Sequence, residues 1–342
     1  MEILKVDGSF GEGGGQIIRS VVTLSCITKI PVQIENIRKN RKIPGLRAQH
    51  LSSIKLLSKI CNADVEGLKI GSTSIKFIPH EVENCSLKEN IGTAGSISLL
   101  LQVIIPAVAI SGKKLKLSVT GGTDVLWSPT GNYTKHVLAE AYSRLGIKFS
   151  MNIKKRGYYP KGGGIVDVEV SPSKDIIPIK LLQRKTKEAK LFCSFSKISK
   201  EVIMNAIENT KEETETRGFS VFTDVKEETA IDHGSSMLIF SKDSDSIIGS
   251  DGLYDAKKDK FSENISNNFL TCKLGVDNNL ADMLVLPASL SKELSIFRVQ
   301  KISKHLETNL YVTSKITGCK YGIGKLDDGY ELRISGNSNT SI

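Results

Sequence analysis

A recurring pattern of apolar and polar positions divides much of the chain into similar segments. A polar, glycine-bearing loop leads into about a dozen residues of helical apolar periodicity and then into a short strand. The predicted loop–helix segments are Gly11–Ile30, Gly92–Ile110, Ser128–Leu145 and Asp277–Ser289. The strands predicted behind them are Val32–Ile37, Lys114–Thr120, Lys148–Lys154 and Leu294–Val299. This repetition predicts an α/β (α+β) fold of repeated β-α units, with strands on one face and helices on the other.

The stretch from Leu181 to Cys272 follows a different pattern. Its predicted elements are the strand Lys190–Ser196, the helix Lys200–Thr216, the strands Phe219–Lys226 and Ser236–Ser241, a polar turn over Asp243–Asp251 and a helix near Ser262–Leu270. We therefore predict a small inserted α+β domain, residues 181–275, within a large domain formed by residues 1–180 and 276–342. The insert has no glycine-rich loop, so we expect no chemistry there.

Length and composition agree with two folded domains. The chain has 342 residues, of which 39% are hydrophobic and 25% charged, values typical of globular proteins. Its longest apolar stretch, Ile97–Ile110, is too short to cross a bilayer, and no signal peptide is predicted. The six cysteines form no Cys-x-x-Cys pair, which argues against a zinc site and favours a reducing compartment. We therefore expect a cytoplasmic protein without membrane association.

Positive charge is concentrated in one part of the chain. The net charge is +10, and residues 36–63 contain no acidic side chain. The basic residues of this stretch are Arg38, Lys39, Arg41, Lys42, Arg47, Lys55 and Lys59. Such an excess favours an acidic partner such as a nucleic acid. The loop Arg38–Arg47 has a Pro-Gly turn and no aromatic residue, which predicts a clamp on the phosphate backbone.

The glycine-rich loop Asp7–Gln16 leads directly into the first predicted helix. Glycines allow sharp turns and close approach to a ligand, and a helix start offers free N–H groups to an anion. Glu12 adds a hard oxygen ligand for a divalent metal, and Arg19 adds a second anion contact. The loop has neither the P-loop nor the dinucleotide-binding spacing. On these residues alone, an anion site and a plain strand-to-helix turn both remain open.

Several further segments combine with this loop into a family signature. They are Asp7–Arg19, Arg38–His50, Gly92–Ser96 with Gln102, Gly121–Asp124, Arg156–Gly164, Leu280–Pro287 and His305–Asn309. In sequence and in order, over nearly the whole chain, they resemble the RNA 3′-terminal phosphate cyclases. The resemblance implies repeated units like the C-terminal domain of a translation initiation factor, related to the enolpyruvyl transferase fold. It also implies that the insert has a thioredoxin-like topology.

The resemblance also implies a reaction that uses ATP and an RNA with a 3′-phosphate end. A histidine attacks the α-phosphate of ATP to form enzyme–AMP, which passes AMP to the RNA phosphate. The neighbouring 2′-hydroxyl then closes a 2′,3′-cyclic phosphate. The family histidine falls on His305. A neutral imidazole is a suitable nucleophile near neutral pH.

Other roles are carried over by the same resemblance. Glu12 becomes a ligand of Mg²⁺ or Mn²⁺. The implied phosphate or RNA contacts are Arg19, Arg38, Arg41 and Gln49. The implied nucleotide pocket comprises Gln102, Pro129, Asn279, Leu280, Ala281, Asp282 and Met283. Better-known members have a stacking tyrosine at the position of Asn279, so the preference for ATP over GTP stays open. Gly162–Gly164 is either a second anion loop or a hairpin turn, and we favour the turn.

Two other classes share parts of this pattern. Cyclase-like ribosome-assembly factors have the fold without the catalytic histidine, and the presence of His305 argues against that class. Enolpyruvyl transferases also repeat small α/β units, but they act on small anions, whereas the acid-free stretch favours a polymer. A homodimer is compatible with the sequence.

Overall fold

Three units with the same order of elements follow one another along the chain. The structure, a computed structural model, describes residues 2–258, 260–262 and 264–337. The first unit comprises β1 (Leu4–Asp7), α1 (Gly15–Thr28), β2 (Val32–Glu35), α2 (Ala48–Ile60), β3 (Asp64–Glu66) and β4 (Ile75–Ile78). The second comprises β5 (Cys85–Asn90), α3 (Ile97–Ile110), β6 (Leu115–Gly121), α4 (Gly131–Tyr133), a π-helical turn (Thr134–Leu138), α5 (Ala139–Arg144), β7 (Phe149–Lys155) and β8 (Gly164–Val170).

The third unit is interrupted after its first strand, β9 (Lys180–Leu181). The inserted elements are β10 (Glu188–Ser196), α6 (Lys200–Glu215), β11 (Ser220–Glu227), β12 (Gly234–Asp243), β13 (Ser246–Asp255), β14 (Lys260–Phe261) and α7 (Ile265–Thr271). The unit then continues with α8 (Asn278–Ala288), β15 (Leu294–Val299), α9 (Lys304–Thr317), β16 (Lys320–Leu326) and β17 (Gly329–Ser335).

The three units share one sheet topology. Their strand orders are β1-β2-β4-β3, β5-β6-β8-β7 and β9-β15-β17-β16. In each, the first two strands are parallel, as a helical crossover requires, and the other pairings are antiparallel. The predicted fold of repeated β-α units is therefore confirmed. The repeat itself is larger than expected, because Gly92–Ile110 and Ser128–Leu145 supply the two helices of a single unit.

The insert forms a five-stranded sheet of order β11-β10-β12-β13-β14. Here β10 is parallel to β11 and antiparallel to β12, as expected for a thioredoxin-like strand-helix-strand-strand-strand-helix arrangement. The predicted polar turn over Asp243–Asp251 is wrong. Only Ser244 and Asp245 separate β12 from β13, in which Ile247 packs into the large core and Ile248 into the insert's own cluster. The domain boundaries at residues 181 and 275 stay a prediction.

Helix starts in this fold are marked by capping side chains. The side-chain oxygens of Ser96, Thr130, Asp277 and Ser303 accept hydrogen bonds from backbone N–H groups three residues later, at 2.9–3.2 Å. Such caps satisfy N–H groups that have no partner within the helix. They fix where α3, α4, α8 and α9 begin. α3 is apolar on nearly all sides because it packs between α1 and α2 above its own sheet.

Candidate active site

The glycine loop after β1 docks on the first turn of α9. Gly11 has a φ of +61°, and a Cβ atom there would lie 2.3 Å from Thr308 Oγ1. The backbone N–H of Glu12 donates to the same Thr308 oxygen at 3.1 Å. His305, in the first turn of α9, keeps 47% of its side chain exposed, and its Nδ1 lies 3.9 Å from Glu12 Oε2. The contact therefore brings together two candidate residues almost 300 positions apart.

Asn309 joins three helices beneath this contact. Its Oδ1 accepts hydrogen bonds from Ser20 Oγ at 2.7 Å and from Gln16 Nε2 at 3.2 Å, both on α1. Its Nδ2 donates to the backbone oxygen of Asp282 on α8 at 2.8 Å. Sequence reasoning noted Thr308 and Asn309 only as the setting of His305. Their position one turn after the histidine, on the same helix, was the available signal.

Two guanidinium groups act on the imidazole of His305. Burial, followed by the charges of Arg19 and Arg41, lowers the pKa of His305 below its usual value of 6.5. Burial lowers the pKa of Arg19 to about 10. Arg19 Nη2 donates to Gln16 Oε1 at 2.8 Å, and its buried Nε has no hydrogen-bond partner in the described structure. The histidine is therefore neutral at neutral pH and stands beside a cation suited to bind an anion.

Glu12 is the carboxylate of the site. Its Oε1 pairs with Arg41, which also donates to the Glu12 backbone oxygen at 3.3 Å. Its Oε2 is buried without a hydrogen-bond partner in the described structure. The side chain folds over Gly14, where a Cβ atom would lie 2.0 Å from Oε2. An unpartnered carboxylate oxygen fits a divalent cation that takes its remaining ligands from water or substrate phosphates. In the described residues no cluster of three or more acidic, histidine or cysteine side chains could hold a metal alone.

His50 closes the site on the side of α2. Its Nδ1 accepts a hydrogen bond from the Arg47 backbone N–H at 3.1 Å, which assigns the proton of the neutral ring to Nε2. Nε2 faces the start of α1, since a Cβ atom at Gly15 would lie 2.3 Å from it. Burial, followed by the charges of Arg19, Arg38 and Arg47, lowers the pKa of His50 to about 3. His50 is thus a neutral donor aimed at the helix start.

A small pocket beside Arg19 contains three of the seven expected nucleotide-binding residues. It is lined by Gln16, Arg19, Ser20, Thr23, Gln102, Tyr142, Asp282, Met283, Leu286 and Asn309. Gln102 Nε2 donates to Met283 Sδ at 3.5 Å. Asp282 Oδ1 accepts from Ser303 Oγ at 2.9 Å, and burial raises the pKa of Asp282 to about 7. Ser303 also caps α9, so its hydrogen bond with Asp282 connects the pocket to the helix that carries His305.

The other four lie outside the pocket lining. Leu280 and Ala281 are fully buried core residues, whereas Asn279 is exposed at the start of α8. Pro129 is partly buried just before α4. The starts of α4 and α8 are joined, because Tyr133 OH donates to Asp277 Oδ1 at 2.8 Å. This bond connects the helix that follows Pro129 with the start of the helix that carries Asn279.

The remaining predicted anion contacts have different surroundings. Arg38 Nη1 donates to the backbone oxygens of Ile43 and Gly45, at 3.1 and 3.2 Å, and so helps to close the basic loop. Gln49 is partly exposed in the first turn of α2, beside His50. Gly162 and Gly163 have positive φ in the segment that leads into β8, as the turn favoured for Gly162–Gly164 requires.

Comparisons with known proteins agree on one family. The family model described as RNA 3′-terminal phosphate cyclase matches residues 10–323. RNA 3′-terminal phosphate cyclase from Methanococcoides burtonii is 36% identical over 340 residues, covering 97% of this chain and 100% of the relative. The proteins of that name from Thermococcus kodakarensis and Korarchaeum cryptofilum are 37% and 34% identical. The first match covers 98% of both chains and the second 94% of both.

Solved structures were similar as well. The crystal structure of the enolpyruvyl transferase NikO from Streptomyces tendae matches with a TM-score of 0.40 and 8% identity, over 98% of this chain and 48% of that one. This similarity is too low to support an argument about fold or function. The family match over most of the chain and the full-length relatives are decisive: the chain belongs to the RNA 3′-terminal phosphate cyclase family and is an enzyme of that family.

Proposed function

We propose that this enzyme converts an RNA 3′-terminal phosphate into a 2′,3′-cyclic phosphodiester with ATP, and that His305 carries AMP between the two. The observation that supports this best is the half-exposed imidazole at the start of α9, with its pKa lowered beside Arg19 and Arg41. A neutral nitrogen is free to attack, and the guanidinium groups stabilise negative charge that develops on phosphate oxygens.

The proposed sequence has three substitutions at phosphorus. An imidazole nitrogen of His305 bonds to the α-phosphorus of ATP, and the bond to the β-phosphate oxygen breaks to release pyrophosphate. An oxygen of the RNA 3′-phosphate then attacks that phosphorus, and the phosphorus–nitrogen bond breaks to leave RNA-pp-A. Finally the 2′-hydroxyl loses its proton and attacks the 3′-phosphorus, and AMP leaves. In this proposal Arg19 and the Nε2–H of His50 hold the transferring anions, and their hydrogen-bond donors that are free within the described residues support that role.

The nucleotide and metal assignments belong to the same proposal. Gln102, Asp282 and Met283, which line the pocket beside Arg19, contact the nucleotide. Pro129 and Asn279, outside that lining, are assigned to the nucleotide by the family resemblance alone. Glu12 Oε2 is a ligand for Mg²⁺ or Mn²⁺, which would offset charge on the pyrophosphate leaving group. Arg41 and Gln49 contact RNA phosphate.

The decisive experiment is covalent labelling with ATP that carries a labelled α-phosphate. We expect the wild-type protein to acquire an acid-labile, base-stable AMP adduct, as a phosphoramidate requires. His305→Ala should abolish it, while His80→Ala, which removes an exposed histidine paired with Asp64, should label normally. Labelling of His305→Ala would refute the assignment. No label in the wild-type protein would favour the non-catalytic ribosome-assembly alternative.

The cellular location and the oligomeric state are properties of the whole protein. Within the described residues no helix is long and apolar enough to span a membrane. A cytoplasmic location and a homodimer stay predictions; sedimentation at two protein concentrations tests the dimer.

A further inference from the structure

Two exposed aromatic side chains stand on neighbouring loops of the second unit. Trp127, the single tryptophan of the chain, is 94% exposed, and Tyr159 is 75% exposed. Leu126, beside the tryptophan, is 56% exposed. Indole and phenol rings normally bury most of their surface, and an exposed apolar patch of this kind indicates a binding surface.

The loop that carries Trp127 is held rigidly at both ends. Asp124 Oδ1 accepts a hydrogen bond from the Gly131 N–H at 3.0 Å, and the Thr130 N–H donates to Asp251 Oδ2 at 2.7 Å. Within the loop, Ser128 Oγ donates to the Val125 backbone oxygen at 2.9 Å. Between these anchors Trp127 adopts a φ of +62°, a conformation that is unfavourable for a bulky residue. Strain held by a fixed loop, with the ring directed to solvent, is typical of a functional position.

The loop of Tyr159 is tied to the same anchor. Gly157 accepts hydrogen bonds at its backbone oxygen from the N–H groups of Thr123 and Asp124, at 2.9 and 3.2 Å. Its own N–H donates to Thr123 Oγ1 at 2.9 Å. The loops of Trp127 and Tyr159 are therefore both hydrogen-bonded to the segment Thr123–Asp124. Exposed Lys161 follows Tyr159 in the same turn and supplies a positive charge.

Both loops pack near the start of α3, the helix that also contributes Gln102 to the pocket beside Arg19. A Cβ atom at Gly122 would lie 2.6 Å from the backbone oxygen of Ala94, and one at Gly162 would lie 2.8 Å from Ala94 Cα. Both loops thus pack against the segment that starts α3. Gln102, in the pocket, is five residues after the first residue of α3, about 8 Å along the helix axis.

We propose that Trp127 and Tyr159 form a stacking platform for unpaired bases of the RNA strand, upstream of its 3′-phosphate; this rests on the proposed function for the nature of the polymer. Aromatic rings beside cations are how proteins hold single strands without reading their sequence. A mononucleotide brings one base, whereas an extended strand brings a base for each of the two exposed rings. The basic loop lacks aromatic residues, so it holds phosphates while the platform holds bases.

Because Trp127 is the only tryptophan, its fluorescence reports on this residue directly. We expect single-stranded RNA with a 3′-phosphate to quench it, and an abasic strand of equal length and charge to quench it far less. Trp127→Ala should weaken RNA binding by about 5- to 150-fold, the range for loss of one stacked base. Trp127→Phe should recover part of that loss, and Tyr159→Ala should weaken binding similarly. Phe222→Ala, which removes a 65% exposed ring on β11, is the matched control and should bind RNA like the wild-type protein.

Three outcomes would overturn the platform. Equal quenching by ATP alone would place an adenine on Trp127. Unchanged RNA affinity in Trp127→Ala would leave the ring without a role in binding. Loss of a concentration-dependent oligomer in that variant, with RNA affinity intact, would make the patch a protein interface. Failure of the proposed function is a separate result: absence of the AMP adduct and of cyclic product in the wild-type protein, whatever the fluorescence.

Discussion

At the scale of single residues, the site is defined by charged groups that lack their usual partners. No carboxylate lies within ion-pair distance of Arg19 in the part of the chain that the structure describes, although its Nε is buried. Glu12 Oε2 is likewise buried and unpartnered. Leaving such groups unsatisfied disfavours the free protein. An anion at Arg19 and a cation at Glu12 would satisfy both, which is why we assign binding roles to them.

The electrostatics of His305 predict a pH profile for the adenylylation step. Since its pKa lies below 6.5, the acidic limb of the rate of enzyme–AMP formation should have a midpoint below 6.5. Arg41→Gln removes a charge that lowers this pKa and frees Glu12, whose carboxylate favours the protonated ring. Both effects raise the pKa, so the midpoint should move to higher pH. Lys42→Gln, in the same loop, should leave the midpoint in place; no shift in Arg41→Gln, or a downward one, would refute the argument.

Glu12 predicts a dependence on metal concentration. If its Oε2 binds the cation, Glu12→Ala should impair adenylylation most at low Mg²⁺ or Mn²⁺ and recover toward the wild-type rate as metal is raised. The measurement is the rate of enzyme–AMP formation across a metal titration. Glu307→Ala, which removes an exposed carboxylate from the first turn of α9, is the control. An equal loss at every metal concentration would instead indicate that Glu12 acts by orienting Arg41.

At the scale of elements, helices could be predicted from local sequence patterns, whereas contacts between segments far apart in the chain could not. Apolar periodicity after a polar loop located α1, α3 and α8 within the predicted segments, because such patterns act over a few turns of one helix. The strand Ser246–Asp255 was missed because it is rich in serine, glycine and aspartate, and pairing with β12 supplies its stability. The contacts of Thr308 with the glycine loop and of Asn309 with α1 join residues almost 300 positions apart, so no local pattern could reveal them.

A buried ionic network joins the second unit to the insert. Arg156 Nη1 lies 3.1 Å from Asp124 Oδ2, and Arg156 Nε lies 2.7 Å from Glu228 Oε2. Its Nη2 also donates to Asn132 Oδ1 and Ser194 Oγ, each at 2.8 Å. Because Glu228 and Ser194 belong to the insert and the others to the second unit, the guanidinium fixes one against the other.

Removing that guanidinium should therefore be costly. We expect Arg156→Met to lower the free energy of unfolding by about 3–5 kcal/mol, since it leaves buried Asp124 without its cation. Lys116→Met, which breaks the exposed pair with Glu169, should cost less than about 1 kcal/mol. Urea unfolding of the two variants tests the comparison. Equal, small losses would mean that water or other donors replace the guanidinium.

At the scale of the whole molecule, the first and third units bring the basic stretch to the candidate active site. The first unit carries it on the loop after β2 and on α2, and the third unit supplies the histidine through α9. Arg41 links the two, since it pairs with Glu12 beside His305. Exposed Lys39 and Lys42 flank Arg41. An RNA end that reaches the histidine would therefore pass along residues 36–63, a segment that contains no acidic side chain.

This arrangement predicts how RNA binding responds to salt. If exposed cations of the loop contact phosphates, each one removed should reduce the slope of log affinity against log salt by about 0.7, the single-strand value. Lys39→Ala and Lys42→Ala should each show this reduction and a loss of roughly 1 kcal/mol or somewhat more in binding. Arg41→Ala should do the same and also slow adenylylation, because it touches Glu12. Lys320→Ala, an exposed lysine on β16, is the control and should leave the slope unchanged. Unaltered slopes in all three loop variants would mean that the RNA approaches His305 by another path.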